Sequence, residues 1–104
     1  MTIKFFTKQT KEKDSKSKIF CRVTINRKKT EFVTDFQVID TDWDPLKQRS
    51  KTNFSLNRGL LKIESKLYNI RQSQIDEGKE LTAGRIVDLL IGRNDKRSKT
   101  EIVD

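Results

Sequence analysis

The side chains with chemistry to offer are mainly cationic, and they are unevenly placed. Residues 1–29 carry ten Lys or Arg (Lys4, Lys8, Lys11, Lys13, Lys16, Lys18, Arg22, Arg27, Lys28, Lys29) against only Glu12 and Asp14. That stretch holds the whole net charge of +8, so residues 30–104 sum to zero. Lysine supplies point charge to phosphates, and arginine can bridge the two acceptors on a guanine edge. Charge concentrated in this way points to a polyanionic partner, either nucleic acid or an anionic membrane surface.

Other chemistries find little support. Histidine is absent, which removes the commonest general base and the usual partner of a Ser or Cys nucleophile. One cysteine, Cys21, excludes an internal disulfide and any Cys/His zinc arrangement. It falls in an apolar strand phase and reads as an inert buried thiol. Asp40, Asp42 and Asp44 recur at alternate positions, as in a calcium loop, but the Gly and distal Glu of an EF-hand are missing. A turn capped by Asp side chains is the better reading. The sequence asks for no cofactor, no metal and no small-molecule substrate. No apolar run approaches the ~20 residues needed to cross a bilayer, and no secretion signal core is seen at the start. A reducing cytoplasm is the simple location.

The elements that must position these cations are legible from periodicity. A length of 104 residues fits one domain with a modest core, and only 33% of the residues are hydrophobic. Strands are expected over about residues 2–9, 18–26 and 30–36. In the second, Ile19, Cys21, Val23 and Ile25 share one face, and Phe20, Arg22, Thr24 and Asn26 the other. Residues 9–17 read as a loose polar connection. Asn26 to Lys29 has the length of a hairpin turn, with Asn26 the best candidate for a positive φ. In the third strand, Phe32 and Phe36 oppose Glu31, Val33 and Asp35. Residues 37–56 look irregular, with Trp43 as a core plug. A long helix is expected over about 57–77, capped by Asn57 and stopped by Gly78. Its apolar stripe would be Leu60, Ile63, Leu67, Ile70 and Gln74, widened by Leu61, Tyr68 and Ile75. Thr82 would cap a short second helix over 83–91, ended by Gly92. The expected architecture is α+β: a three-stranded antiparallel sheet packed on one face by the long helix, followed by the short one. Residues 1–92 would form the domain and 93–104 a flexible linker.

Several of these features in order match a known pattern. They are the strand Ile19 to Asn26, a basic turn, the strand Glu31 to Thr34, then Trp43-Asp44-Pro45 with Lys47-Gln48-Arg49-Ser50-Lys51, a long helix, and Leu81-Thr82-Ala83. The chain resembles the arm-type DNA-binding domain at the start of tyrosine recombinases carried by mobile elements of Bacteroides-type bacteria. The resemblance spans roughly residues 3–92. It implies a non-catalytic domain whose sheet enters the major groove of short arm sites. The parent would be an integrase that oligomerises on DNA at the nucleoid, while the isolated domain would be monomeric. None of the recombinase catalytic set maps here. At the hairpin turn, where relatives often carry Gly, this chain has Arg27-Lys28-Lys29.

The DNA-binding candidates are therefore Lys4, Phe6, Lys8, Lys18, Phe20, Arg22, Thr24, Asn26, Arg27, Lys28 and Lys29. Thr24 and Asn26 either reach base edges or serve strand and turn propensity. Phe6 and Phe20 either touch bases or form a patch partly covered by a loop. Trp43 and Tyr68 are expected in the core. Two rival readings stay open: an RNA-binding α+β module whose aromatics stack on single-stranded bases, and a protein-interaction module using the Phe6/Phe20 patch.

Overall fold

Period-two alternation of β-branched and aromatic residues builds the central feature, an antiparallel sheet in the order β1-β2-β3. The computed structural model describes residues 1–8 and 16–92. The strands are β1 (Thr2–Thr7), β2 (Lys16–Ile25) and β3 (Lys28–Ile39). Phe5, Ile19, Cys21, Val23, Ile25 and Val38 point into the core. β2 thus begins two residues earlier than the sequence suggested. Ser17 is fully buried, and its hydroxyl donates to the Asp40 carboxylate. The expected connection over residues 9–17 contributes Lys16 and Ser17 to β2, and its remainder lies outside the described residues. So does the 93–104 linker.

Ile25 pairs with Lys28, so β2 and β3 are joined by the two-residue loop Asn26-Arg27. Both loop residues have positive φ, 53° and 68°, the signature of a type I′ hairpin turn. Asn tolerates this conformation; Arg adopts it at a cost.

β3 is longer than expected at both ends, because the two-residue turn leaves Lys28 and Lys29 to pair with Ile25 and Thr24 and because Gln37, Val38 and Ile39 pair with Lys18, Ser17 and Lys16; its register also shifts. Phe20 faces Val33, but Lys18 faces Gln37, so β3 carries two extra residues between them. The irregularity is held by Thr34, whose buried hydroxyl donates to the Ile19 carbonyl and accepts from the Phe36 amide. A single 3-10 turn, Asp40–Asp42, leads into the short hairpin of β4 (Trp43–Asp44) and β5 (Arg49–Ser50). The segment read as irregular is therefore an ordered corner, and Trp43 is buried in it as expected.

The long helix, α1, runs over Phe54–Asp76. Its N-cap is Asn53, whose Oδ1 accepts from the Leu56 amide at 3.0 Å, not Asn57. Asn57 instead holds both backbone polar groups of Ser50, accepting from its N–H at 2.7 Å and donating to its carbonyl at 2.9 Å. The extra turn buries Leu56. At the far end Gly78 (φ 71°) donates to Ile75 and Lys79 to Gln74, which closes a Schellman motif. The second helix, α2 (Ala83–Ile91), is capped by Thr82 and ended by Gly92 (φ 76°).

Leu56, Leu60 and Leu67 of α1 and Ala83, Ile86 and Val87 of α2 join the inner sheet residues in one core. Both helices therefore lie against the same face of the sheet. The approach is tight at Gly59, where an added Cβ would fall on the Phe36 ring. The widening of the helical stripe is corrected: Leu61 (56% exposed), Tyr68 (48%) and Ile75 (41%) face outward, so Tyr68 is not core. Among the described residues, no helix is long and apolar enough to cross a membrane.

Candidate nucleic-acid interface

The face of the sheet turned away from the helices is built in transverse rows set by strand register. Thr2, Thr24 and Lys29 form one row; Lys4, Arg22 and Glu31 the next; Phe6, Phe20 and Val33 the third. Because alternation carries every second side chain to the same side, these nine residues share one surface. Lys8 and Lys18 extend it along β1 and β2.

At its centre the surface is organised. Phe6 and Phe20 stack with centroids 5.8 Å apart at 22°. The Arg22 guanidinium lies 4.9 Å from the Phe6 centroid and the Lys8 ammonium 4.4 Å from that of Phe20. Glu31 sits between these cations. Its Oε2 accepts from Arg22 Nε and Nη2, both at 2.7 Å, and its Oε1 is 3.8 Å from Lys8 Nζ. Cation–π contacts of this exposure contribute about 0.5–1 kcal/mol each, and a surface ion pair about 0–1. The cluster therefore orients its members without locking them.

Of the residues singled out from sequence, Lys4, Phe6, Lys8, Lys18, Phe20, Arg22, Thr24 and Lys29 are brought to this face. Asn26 and Arg27 stand exposed at the hairpin tip. Lys28 pairs with Ile25 and shares its side of the strand with Thr30 and Phe32, so it is not brought to the outer face. Among the described residues, Arg22 lies over Phe6 and Lys8 over Phe20, and the connection between β1 and β2 that could cover the pair lies outside the described residues. Sequence reasoning missed Glu31 and Val33 as members. The signal was the turn: a two-residue loop at Asn26-Arg27 places Glu31 directly opposite Arg22.

The basic cluster after Trp-Asp-Pro has a different use. Arg49 donates to Glu64 of α1 at 2.6 Å and lies 5.5 Å over the Phe5 ring. Gln48 Oε1 accepts from the Phe5 amide at 2.8 Å, satisfying a donor on the free edge of β1. These contacts fasten the β4–β5 corner to the sheet and to α1.

The three alternating aspartates are turn and corner acceptors. Asp44 Oδ1 accepts from the Leu46 and Lys47 amides, and Asp40 accepts from Ser17. Asp42 accepts from Ser50 and Thr52, and the Ser50 hydroxyl foremost holds its carboxyl below the usual range. Cys21 is buried, which together with the Glu64 charge pushes its thiol up to about 12. Among the described residues, no group of three or more His, Cys, Asp or Glu is arranged to hold a metal ion.

The chain matches the family model described as "Arm DNA-binding domain" over residues 5–87, which takes in the second half of β1, all of β2 and β3, the corner, α1 and the first half of α2. No curated protein and no solved structure matches it. A cationic sheet face on one side, a helical backing on the other, and a family match across most of the length lead to one assignment: the chain belongs to the arm DNA-binding domain family, a non-catalytic module whose partner is DNA.

Proposed function

We propose that this chain is the arm-site reader of a site-specific tyrosine recombinase of a Bacteroides-type mobile element, and that it lays the outer face of its sheet in the major groove of duplex DNA. The observation that carries the reading is the shared surface of Lys4, Lys8, Lys18, Arg22 and Lys29, opposite the helices. Three strands at ~4.8 Å spacing make a ribbon about 10 Å wide, which suits a groove of about 12 Å. The lysines supply affinity through phosphates. Arg22, with Thr24 or Asn26, supplies base preference. Arg27 at the hairpin tip extends the footprint towards the backbone. In this reading residues 1–92 act as one binding unit in the bacterial cytoplasm. The catalytic and core-binding parts belong to a longer parent that assembles on DNA.

RNA is the chief competitor for this face, because Phe6 and Phe20 are aromatic and partly exposed. Their geometry argues against it: the rings stack on each other, and Lys8 and Arg22 lie over them. Open platforms for splayed bases would need free ring faces. Competition between duplex DNA and single-stranded RNA at fixed salt tests the reading, with duplex expected to win. Arg22→Ala is expected to weaken binding to a selected duplex by about 1–3 kcal/mol. Preference for RNA, or partner binding indifferent to Lys4, Lys8 and Arg22, would end it.

A further inference from the structure

We infer that Glu31 is a positioning residue for DNA sequence discrimination, holding Arg22 for a G·C base pair and against a phosphate. The inference rests on the duplex-binding reading above. An acidic side chain at the centre of a cationic surface works against plain electrostatic affinity, so its placement there calls for a physical reason. The geometry supplies one. Glu31 Oε2 takes the Nε and Nη2 hydrogens on one edge of the Arg22 guanidinium, each at 2.7 Å. The Phe6 ring lies 4.9 Å from the guanidinium carbon. These two contacts restrain both the plane and the rotation of the group. Its outer edge, Nη1 and the second hydrogen of Nη2, has no hydrogen-bond partner among the described residues. That edge matches the two acceptors of guanine in the major groove.

The carboxylate acts a second time by repulsion. A backbone phosphate approaching Arg22 or Lys8 meets Glu31 between them, 3.8 Å from the Lys8 ammonium. Random duplex therefore gains less from these two cations than their charge suggests. A guanine edge is neutral and escapes that repulsion. The paired cytosine presents an N4 amine that Glu31 Oε1 can accept from. Specificity here is a difference of affinities, raised by disfavouring the wrong partner. Arg22 and Glu31 are directly paired across β2 and β3, so one register fixes both.

Selection from a randomised duplex library with the unaltered protein, followed by titration of Glu31→Gln and Arg22→Lys, tests this. Both variants keep the fold-determining core, and a retained melting transition checks that they do. Glu31→Gln should bind random duplex roughly three- to ten-fold more tightly at low salt. Its slope of log K against log salt should steepen by about one unit. Its preference for a G·C pair fixed in the selected sites should fall. Arg22→Lys should lose that same preference while keeping affinity for random duplex. A Glu31→Gln variant that weakens on selected and random duplex by the same factor, or that changes neither, overturns the inference and leaves the duplex reading standing. Failure of the unaltered protein to bind duplex overturns both.

Discussion

Arg27 is the residue whose backbone disagrees most with its side chain. At φ 68° it occupies a left-handed position that Gly or Asn takes at little cost, in a turn whose favoured sequence is Asn-Gly. Arg27→Gly is expected to raise unfolding free energy by about 0.5–1 kcal/mol, read from urea denaturation. The same change should weaken duplex binding, because a tip charge is lost. A cation held at a strained, exposed tip fits the proposed use of its charge in binding. A variant that is both less stable and unchanged in DNA binding would contradict this. Cys21 gives a pH prediction. Its folded-state thiol is held near 12, above the ordinary 9.0, by burial and by the Glu64 charge. Below pH 9 both folded and unfolded chains keep the proton. Between pH 9 and about 12 only the unfolded chain releases it, so stability falls as pH rises through that window. Alkaline unfolding of Cys21→Ala should lack this part of the slope, and the native thiol should stay inert to an aromatic disulfide reagent at neutral pH.

At the scale of elements, the sheet and helices meet where the smallest residue allows it. Gly59 lies in the second turn of α1, and the Phe36 ring fills the space a Cβ would need. Ala favours a helix over Gly by about 1 kcal/mol, but overpacking costs about 1–3. Gly59→Ala is therefore expected to lower stability by about 1 kcal/mol in thermal or chemical unfolding. Adding Phe36→Leu should recover the loss, and a stabilised Gly59→Ala would show the ring moves freely. Elements with strong periodicity were legible. Ile19, Cys21, Val23 and Ile25 on one face gave β2 its orientation without reference to any partner. The start of α1 was not, because Asn53 and Asn57 are equally good caps by type. Only the proximity of Ser50 draws Asn57 away into a corner contact. The exposure of Leu61, Tyr68 and Ile75 was also hidden, because a stripe's width depends on how much sheet lies beneath it.

For the molecule as a whole, the charge imbalance becomes a surface. Affinity for duplex should fall steeply with salt, by about 0.9 in log–log slope per phosphate neutralised. Lys4 is exposed on β1 beside Arg22, on the face proposed to meet DNA. Lys4→Ala should flatten the slope by about one unit in fluorescence titrations over a salt series, and an unchanged slope would remove Lys4 from the interface. The cationic stretch over residues 1–29, the alternation of β2 and the two helix stops at Gly78 and Gly92 were determined by the sequence itself. Each depends on residues a few positions apart, where backbone geometry imposes its own period. The pairing of Arg22 with Glu31, the stacked Phe6 and Phe20 under two cations, and the use of Arg49 to tie the corner to α1 were decided only in three dimensions. Those contacts join separate elements, so they follow from register and packing, which no single stretch of chain contains.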